Sequence, residues 1–377
     1  MSKIYLPTSE QMDETIAHLN DIASALGSRI DISSWEGVQK AVRAGVAPQL
    51  LPVGTQLTAS HDTYGNIVFD VVAHNHFRSS KNENAYTMTV MAHDVVGSIQ
   101  FDSSEAFYYA DKVLPSGTYN FTITNTYTKW DSGTYQFTLP HDLPQGGQLC
   151  ISGVSNTSLI TLKVQAYASQ MDSTMLSECT ISLGSAGTSL GSMGKELNHV
   201  HRAAYGSNNY KESAIRQFLN SSDEKGNVWT PQTKFDRPPN WFTTTDGFLK
   251  GLDPELVSAV GSVVIQCATN SVYESPDSTL HKGEKYSLSD KFYLPSQQEL
   301  FATSASTTPD YSTVLPYYEN SVAIDRIKYR ESIAKYWLTR SAQVDNADVC
   351  RVVTPTGVAC TYHIAYAEGC VPVCTIV

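Results

Sequence analysis

The spacing of hydrophobic positions near the N-terminus predicts a short amphipathic helix. Five apolar residues recur at alternating steps of four and three: Met12, Ile16, Leu19, Ala23 and Leu26. Thr8 and Gln11 have the spacing of a capping box, and Gly27 ends the pattern. The apolar stripe either packs on its own domain or joins subunits as a coiled-coil-like seam, although two heptads are too few to hold an oligomer alone.

Between about residue 51 and residue 182, short apolar runs are separated by turn residues. Their alternation predicts strands at residues 67–72, 86–90 and 159–164. Residues 117–123, GTYNFTI, are echoed by residues 133–139, GTYQFTL. Two adjacent copies of a strand predict an antiparallel sandwich or jelly roll.

A stretch rich in Gly and Ser at residues 184–194 predicts a flexible connection, after which the pattern mixes helix and strand. Helix-start signals occur at three places: Asn209 with Glu212, Asp253 with Pro254, and Ser296 with Glu299. Apolar runs near the C-terminus predict strands at residues 336–340, 349–353 and 371–376. We therefore expect an α+β protein with a helical segment at residues 1–48 that is a candidate for oligomerisation, a β-rich structural or assembly domain at residues 49–190, and an α+β domain at residues 195–377.

Composition and charge argue against several classes of function. The chain has 377 residues, of which 41% are hydrophobic and 17% charged, so we expect a folded protein of two or three domains. The formal charge of -11 argues against a sequence-independent nucleic-acid binder, which needs clustered Lys and Arg, and disfavours anionic membranes. Neither a signal-peptide pattern nor a membrane-length apolar run is found, so we expect no membrane insertion.

The cysteines and histidines offer only weak metal candidates. Seven cysteines without a Cys-x-x-Cys pair predict mostly buried free thiols in a reducing compartment, although the spacing of Cys370 and Cys374 suits a metal. A second candidate pairs His74 with His76, near Asp70, His93 and Asp94. Because histidines at such positions more often make ordinary hydrogen bonds, we predict neither a metal nor a cofactor.

The motifs of the common enzyme classes are missing. We find no nucleotide-binding glycine loop, no Gly-x-Ser-x-Gly, no His-Glu-x-x-His and no EF-hand pattern. Asp236, Asp246 and Asp253 could supply a hydrolytic carboxylate pair, but helix caps and solvated loops explain them better. We therefore predict no catalytic residues and a protein that is not an enzyme.

Four segments of the C-terminal part carry a resemblance to a known group: residues 205–220, 292–296, 336–341 and 369–372. They resemble C-type-lectin-fold domains related to the formylglycine-generating enzyme, in the branch of variable proteins from phage and bacterial diversity-generating retroelements. The resemblance covers residues 195–377 and implies a C-type-lectin-like ligand-binding domain there, preceded by the helix and the β-rich domain. The enzyme's copper-binding cysteines cannot be mapped here, and the lectin calcium motifs are missing, so neither chemistry is carried over.

In that family, mutation at adenines turns asparagine codons into codons that never encode Lys, Met, Trp, Glu or Gln. Residues 344–367 contain none of these five residue types. The resemblance thus implies a variable tract at residues 341–369, with ten ligand-binding positions: Asp345, Asn346, Arg351, Val353, Ala359, Thr361, Tyr362, His363, Ile364 and Tyr366. It also implies a framework beneath them, formed by Trp337, Arg340, Gly357, Gly369 and Pro372.

The leading hypothesis is therefore a phage or prophage receptor-binding protein, made in the bacterial cytoplasm and displayed on the virion tail or surface. Its expected partners are a bacterial surface receptor, protein or glycan, and other virion tail proteins. A homo-oligomer, with a trimer as the candidate state, would add avidity. The alternatives are a virion decoration or structural protein, a surface-glycan hydrolase, and an oxidase of the formylglycine-generating type.

Overall fold

A computed structural model describes residues 30–103, 106–110, 112–123, 131–152, 155–156, 159–160, 162–168, 175–193, 208–232, 238–269, 284–301, 312–343 and 349–377. The predicted N-terminal helix, with its candidate subunit seam, lies outside the described residues.

The helices are short. They are α1 Trp35–Arg43, α2 Ala47–Leu50, α3 Ala214–Asn220, α4 Pro254–Ala259 and α5 Gln297–Leu300, with 3-10 turns at Pro316–Tyr318 and Ala323–Arg326. Within the described ranges, no helix combines the length and the apolar character needed to cross a membrane.

Side-chain caps set where these helices begin. Asp253 caps α4, whose first residue is a proline, and Ser296 and Glu299 form the capping box of α5, so both predicted starts are confirmed. The third start lies later than predicted. The Ser213 hydroxyl, rather than Asn209, caps α3 by accepting a hydrogen bond from the third residue of the helix.

Strands make up most of the regular structure. In chain order they are β1 Gln56–His61, β2 Gly65–His74, β3 Met88–Ala92, β4 Gly97–Gln100, β5 Ala106–Tyr109, β6 Gly117–Ile123, β7 Gly133–Leu139, β8 Gln148–Ser152, β9 Ser155–Asn156, β10 Leu159–Ile160, β11 Lys163–Tyr167, β12 Met175–Thr180, β13 Ser182–Leu183, β14 Thr188–Met193, β15 Val260–Gly261, β16 Val263–Thr269, β17 Glu284–Asp290, β18 Phe292–Tyr293, β19 Tyr329–Arg330, β20 Ile333–Ala334, β21 Trp337–Ala342, β22 Val349–Val353, β23 Ala359–His363, β24 Ala367–Cys370 and β25 Val373–Ile376.

Two sheets combine the N-terminal and C-terminal parts of the chain. One has the order β1-β2-β3-β25-β15, with β18 also paired to β25, and the other has the order β23-β22-β21-β24-β4. The joining pairs are antiparallel: β25 with β3, and β24 with β4. All of β25 is buried, as expected of a strand with neighbours on both sides. One core therefore contains side chains from residues 35–101 and 210–376, and it crosses the predicted boundary near residue 190.

Residues 106–193 supply a second core between two four-stranded sheets, β12-β11-β8-β5 and β13-β7-β6-β14. The two echoed segments are β6 and β7, which pair antiparallel with each other. The predicted connection at residues 184–194 is wrong over β14, which pairs in parallel with β6. Gly187 makes this possible, because its φ is +80° and a Cβ there would lie 1.9 Å from the Thr118 carbonyl oxygen.

The expected α+β class with a C-type-lectin-like C-terminal domain is wrong. Strands account for 41% of the structure and helices for 14%, and the strands form several small sheets in which the described residues show no clear C-type lectin domain. The helix-start signals are real, but the helices end within one to three turns. For example, α3 ends at Asn220 because Ser221 is already extended. The chain is thus mostly β.

Candidate functional site

The candidate site lies at the end of the five-stranded sheet. Every residue of β21 is buried, and β21 pairs with β22 on one side and with β24 on the other. β22 pairs in turn with β23, which ends the strand order. Among the described residues β23 therefore has one strand neighbour, and edge strands of this kind are common places for contacts with partners.

Two predicted framework residues lie inside the core. The Trp337 side chain has no solvent exposure, and its indole Nε1 donates to the Arg326 carbonyl oxygen at 3.1 Å. Arg340 forms an ion pair with Glu299, and both side chains are fully buried. The Arg340 guanidinium also donates to the Leu294 carbonyl oxygen at 2.8 Å. Neither residue can contact a ligand at the surface in this structure.

The other framework residues lie where backbone segments approach closely. Gly357 is in the turn between β22 and β23, at a φ of +75°, and a Cβ there would lie 1.7 Å from the Ala323 carbonyl oxygen. At Gly369 a Cβ would lie 2.6 Å from the Tyr336 carbonyl oxygen. Pro372 is buried, and its carbonyl oxygen accepts a hydrogen bond from the last amide of β3 at 2.9 Å.

The ten predicted ligand-binding positions do not share one environment. Asp345 and Asn346 lie outside the described residues. Val353 and Ile364 are fully buried side chains of the main core, so we leave them out of the candidate surface. The other six are exposed or half-buried: Arg351, Ala359, Thr361, Tyr362, His363 and Tyr366. Arg351 and Thr361 face each other directly across β22 and β23.

Four rings near β23 form a cluster, which we call the aromatic surface: Tyr336, Tyr362, His363 and Tyr366. The Tyr362 ring stacks on the Tyr336 ring, with centroids 5.1 Å apart. The Tyr366 ring lies 5.5 Å from that of Tyr362 and 5.7 Å from that of His363. All four side chains are half-buried. The rings therefore hold one another in place and leave part of their area accessible.

Tyr336 is absent from the sequence-predicted site. Its neighbour Trp337 is fully buried, and adjacent residues of an extended chain point to opposite sides. This alternation is the signal that could have placed Tyr336 on the side opposite the Trp337 indole, where its half-buried ring packs at the margin of the main core.

Tyr362 supplies a neutral hydrogen-bonding group to the aromatic surface. Burial raises the pKa of the Tyr362 phenol, and nearby Glu368 and the neighbouring tyrosines raise it further. Burial also raises the pKa of Glu368, against the opposing effect of Lys335. On β22, burial lowers the pKa of Arg351. Tyr362 therefore stays a neutral donor and acceptor at ordinary pH.

The residues considered for a metal have other surroundings. The described residues hold no group of three or more His, Cys, Asp or Glu placed as metal ligands. His74 Nε2 lies 2.9 Å from the backbone carbonyl oxygen of Leu51. Strand β2 ends at His74 because Asn75 turns the chain with a φ of 52°, so His76 does not continue the strand. The thiols of Cys370 and Cys374 are buried, and burial raises the pKa of both.

The carboxylates considered for hydrolysis occupy cap and loop positions. Asp253 caps α4. Asp246 accepts a hydrogen bond from the Lys225 amide at 2.7 Å and pairs with Lys250. Asp236 lies outside the described residues.

These observations define a mostly-β protein that presents accessible aromatic side chains at and near the outer strand of a sheet whose central strand is buried. Residues 172–377 match the family described as Domain of unknown function (DUF6273), and the chain belongs to this family. The matched region contains the whole of the candidate surface. No curated protein and no solved structure matches the chain.

Proposed function

We propose that this chain is a receptor-binding protein of a phage-type particle that contacts a bacterial surface receptor through the aromatic surface. The observation that carries the proposal is the cluster of three half-buried tyrosines and a histidine at and near β23. In the same sheet, β21 is buried throughout. The receptor is a protein or a glycan, and the other partners are tail proteins of the particle.

The physical chemistry of tyrosine supports this role. A phenol offers a large apolar face together with one hydrogen-bonding group, and tyrosine is enriched in binding interfaces for that reason. Because Tyr336, Tyr362 and Tyr366 already pack on one another, little side-chain entropy remains to be lost on binding.

The separation between β21 and β23 supports a surface that tolerates change. The buried ion pair of Arg340 and the indole of Trp337 lie on β21. Ala359 and Thr361 on β23 are exposed or half-buried. Substitutions at exposed positions away from such features usually change stability by less than about 0.5 kcal/mol. A homo-oligomer, with a trimer as the candidate state, would multiply weak contacts into avidity.

The test is binding of the purified full-length protein to a panel of bacterial strains, measured by flow cytometry. The double substitution Tyr362→Ala with Tyr366→Ala should reduce binding to a positive strain by roughly tenfold or more, since interface tyrosines often contribute over 1 kcal/mol each. Tyr86→Ala is the matched control, because the Tyr86 side chain is 54% exposed and not part of the aromatic surface. Full binding by the double variant, with its Tm unchanged, would refute the proposed contact surface.

A second test addresses diversification. The DNA beside the gene should contain a near-identical copy of the codons for residues 337–377, differing at adenines, next to a reverse transcriptase gene. A flanking region without that copy contradicts diversification, while the cell-binding assay still decides whether the surface binds a receptor.

A further inference from the structure

A polar cavity of 340 Å³ is lined by none of the residues of the aromatic surface. Three connections enclose it: the turn between β1 and β2, which contributes Tyr64, the link between β3 and β4, which contributes His93 and Asp94, and the tip of the β19–β20 hairpin, which contributes Arg330 and Glu331. This volume is at the lower end of the range for small-molecule sites.

The walls of the cavity are held by direct bonds between these connections. The Asp94 carboxylate accepts a hydrogen bond from the Tyr329 amide at 2.8 Å, and the Tyr329 carbonyl oxygen accepts one from Val95 at 3.0 Å. The buried Lys328 ammonium donates to the two carbonyl oxygens before Asp94, at 2.8 and 2.7 Å. The start of β19 is thus held against the β3–β4 link before any ligand arrives.

His93, which lines the cavity, is held by a buried carboxylate. Its Nδ1 lies 2.8 Å from the carboxylate of Asp70, whose side chain is almost fully buried, while the His93 side chain is 45% exposed. Because an ionised carboxylate only accepts, Nδ1 is the donor of this hydrogen bond. The other ring nitrogen, Nε2, has no hydrogen-bond partner within the part of the chain that the structure describes.

Other polar side chains of the cavity are also unused by the protein. Within the described ranges, the Asn66 amide, the Arg330 guanidinium and the Glu331 carboxylate make no hydrogen bond or ion pair with another side chain. Donors and acceptors therefore line one concavity, together with two phenol rings, Tyr64 and Tyr329.

The charges of the lining disfavour an anionic ligand. One guanidinium is opposed by the carboxylates of Asp94 and Glu331, so a phosphate or sulfate would meet two like charges for one opposite charge. A purely apolar ligand would leave the polar side chains without partners. A neutral molecule with several hydroxyl groups satisfies both donors and acceptors, and its C–H faces can pack on the phenol rings.

We propose that this cavity is a binding site for a neutral saccharide of one or two rings. Asn66 and Arg330 donate to its hydroxyl oxygens, and His93 and Glu331 accept from its hydroxyl groups. The site is separate from the aromatic surface, and the proposal does not depend on the function proposed above.

Saturation-transfer difference NMR on the full-length protein tests the site, with D-glucose, D-galactose, D-mannose, L-rhamnose and N-acetyl-D-glucosamine as probes. At least one sugar should receive saturation. Its Kd should rise about tenfold in Asn66→Ala and in Arg330→Ala, as expected for the loss of one or two hydrogen bonds, one of them charge-assisted. Arg78→Ala, which removes a guanidinium outside the cavity, should leave the Kd unchanged.

Three outcomes would overturn the proposal: no saturation of any of the five sugars, an unchanged Kd in both cavity variants at an unchanged Tm, or competition by inorganic phosphate that depends on Arg330. The double substitution of Tyr362 and Tyr366 should leave sugar binding intact. That comparison keeps failure of this site distinct from failure of the receptor-binding proposal.

Discussion

Replacing Arg340 by methionine tests whether the buried ion pair holds β21 in the core. Arg340 and Glu299 have no solvent exposure, and the guanidinium donates to Glu299 Oε2 at 2.8 Å. It also donates to the carbonyl oxygens of Leu294 at 2.8 Å and of Gln266 at 3.2 Å. Methionine keeps an unbranched chain but removes the charge and every donor. Removing one partner of a buried pair costs about 3–5 kcal/mol, so we expect a loss of that size in the free energy of unfolding.

Urea unfolding at neutral pH, followed by tryptophan fluorescence, measures this loss. Four tryptophans of the same core report on it: Trp35, Trp229, Trp241 and Trp337. The control is Arg78→Met, because Arg78 is 75% exposed and faces Glu83 at 3.6 Å. Loss of an exposed pair of this kind should change the unfolding free energy by less than about 1 kcal/mol.

A double-mutant cycle separates the ion pair from loss of packing. In the wild type, the Glu299 carboxylate accepts a hydrogen bond from the Ser296 amide at 2.9 Å. Glu299→Gln removes the charge but keeps an oxygen that can accept this hydrogen bond. The double variant with Arg340→Met should cost about 1–3 kcal/mol less than the sum of the single variants, since no uncompensated charge then remains in the core. Additive costs, or a cost below about 1 kcal/mol for Arg340→Met alone, would refute this account.

Three further substitutions address the same sheet. Trp337→Ala should lower the free energy of unfolding by about 3–5 kcal/mol, because a fully buried indole and its hydrogen bond to the Arg326 carbonyl oxygen are lost. Urea unfolding measures this loss, and a loss below about 1 kcal/mol contradicts the prediction. Gly357→Ala should lower the Tm, because a Cβ would lie 1.7 Å from the Ala323 carbonyl oxygen at a left-handed φ; an unchanged Tm would speak against the turn described here. Burial raises the folded-state pKa of Glu368, so the wild type loses stability as pH rises from the ordinary glutamate pKa through the raised value. Glu368→Gln removes that loss. Its stability relative to wild type in urea titrations should therefore increase as pH rises above the ordinary glutamate pKa of about 4.3, whereas a constant difference counts against the effect.

Local features of the fold could be predicted from the sequence because their causes are local. Pro254 after Asp253, and Glu299 three residues after Ser296, specify helix starts through hydrogen bonds that close within one turn. The echoed segments at residues 117–123 and 133–139 are strands with the predicted bounds, because period-2 alternation needs no knowledge of distant residues.

Strand partners could not be predicted in the same way. The pairing of β25 with β3 joins Val373 to Met91, which are far apart in the sequence, and alternation specifies which face is apolar but not which strand lies beside it. Glycine and serine at residues 184–194 favour a loop by composition, yet Gly187 permits a close approach to Thr118 that places β14 beside β6. Tertiary contacts thus override the local signal at both ends of the predicted β-rich domain.

Only part of the candidate site could be predicted from the sequence, for a related reason. A sequence tract shows which residues lie between two glycines, but the strand pairing decides which of them are accessible. Ile364 follows β23 and is fully buried, whereas Tyr362 and Tyr366 on either side of it meet at 5.5 Å and are half-buried. Tyr336, which lies outside the predicted variable tract, completes the cluster because its ring, just before β21, stacks on that of Tyr362.

Stability and recognition thus involve different residues of one sheet. Arg340 and Trp337 on β21 have all their polar partners inside the protein, so their loss should lower the folded fraction without altering the affinity of the molecules that remain folded. Tyr362 and Tyr366 contribute half-buried rings beside an edge strand, so their loss should change affinity at nearly constant Tm. If affinity and Tm fell together in both pairs of variants, the sheet would be a single structural unit without a separable binding face, and the receptor-binding proposal would lose its physical basis.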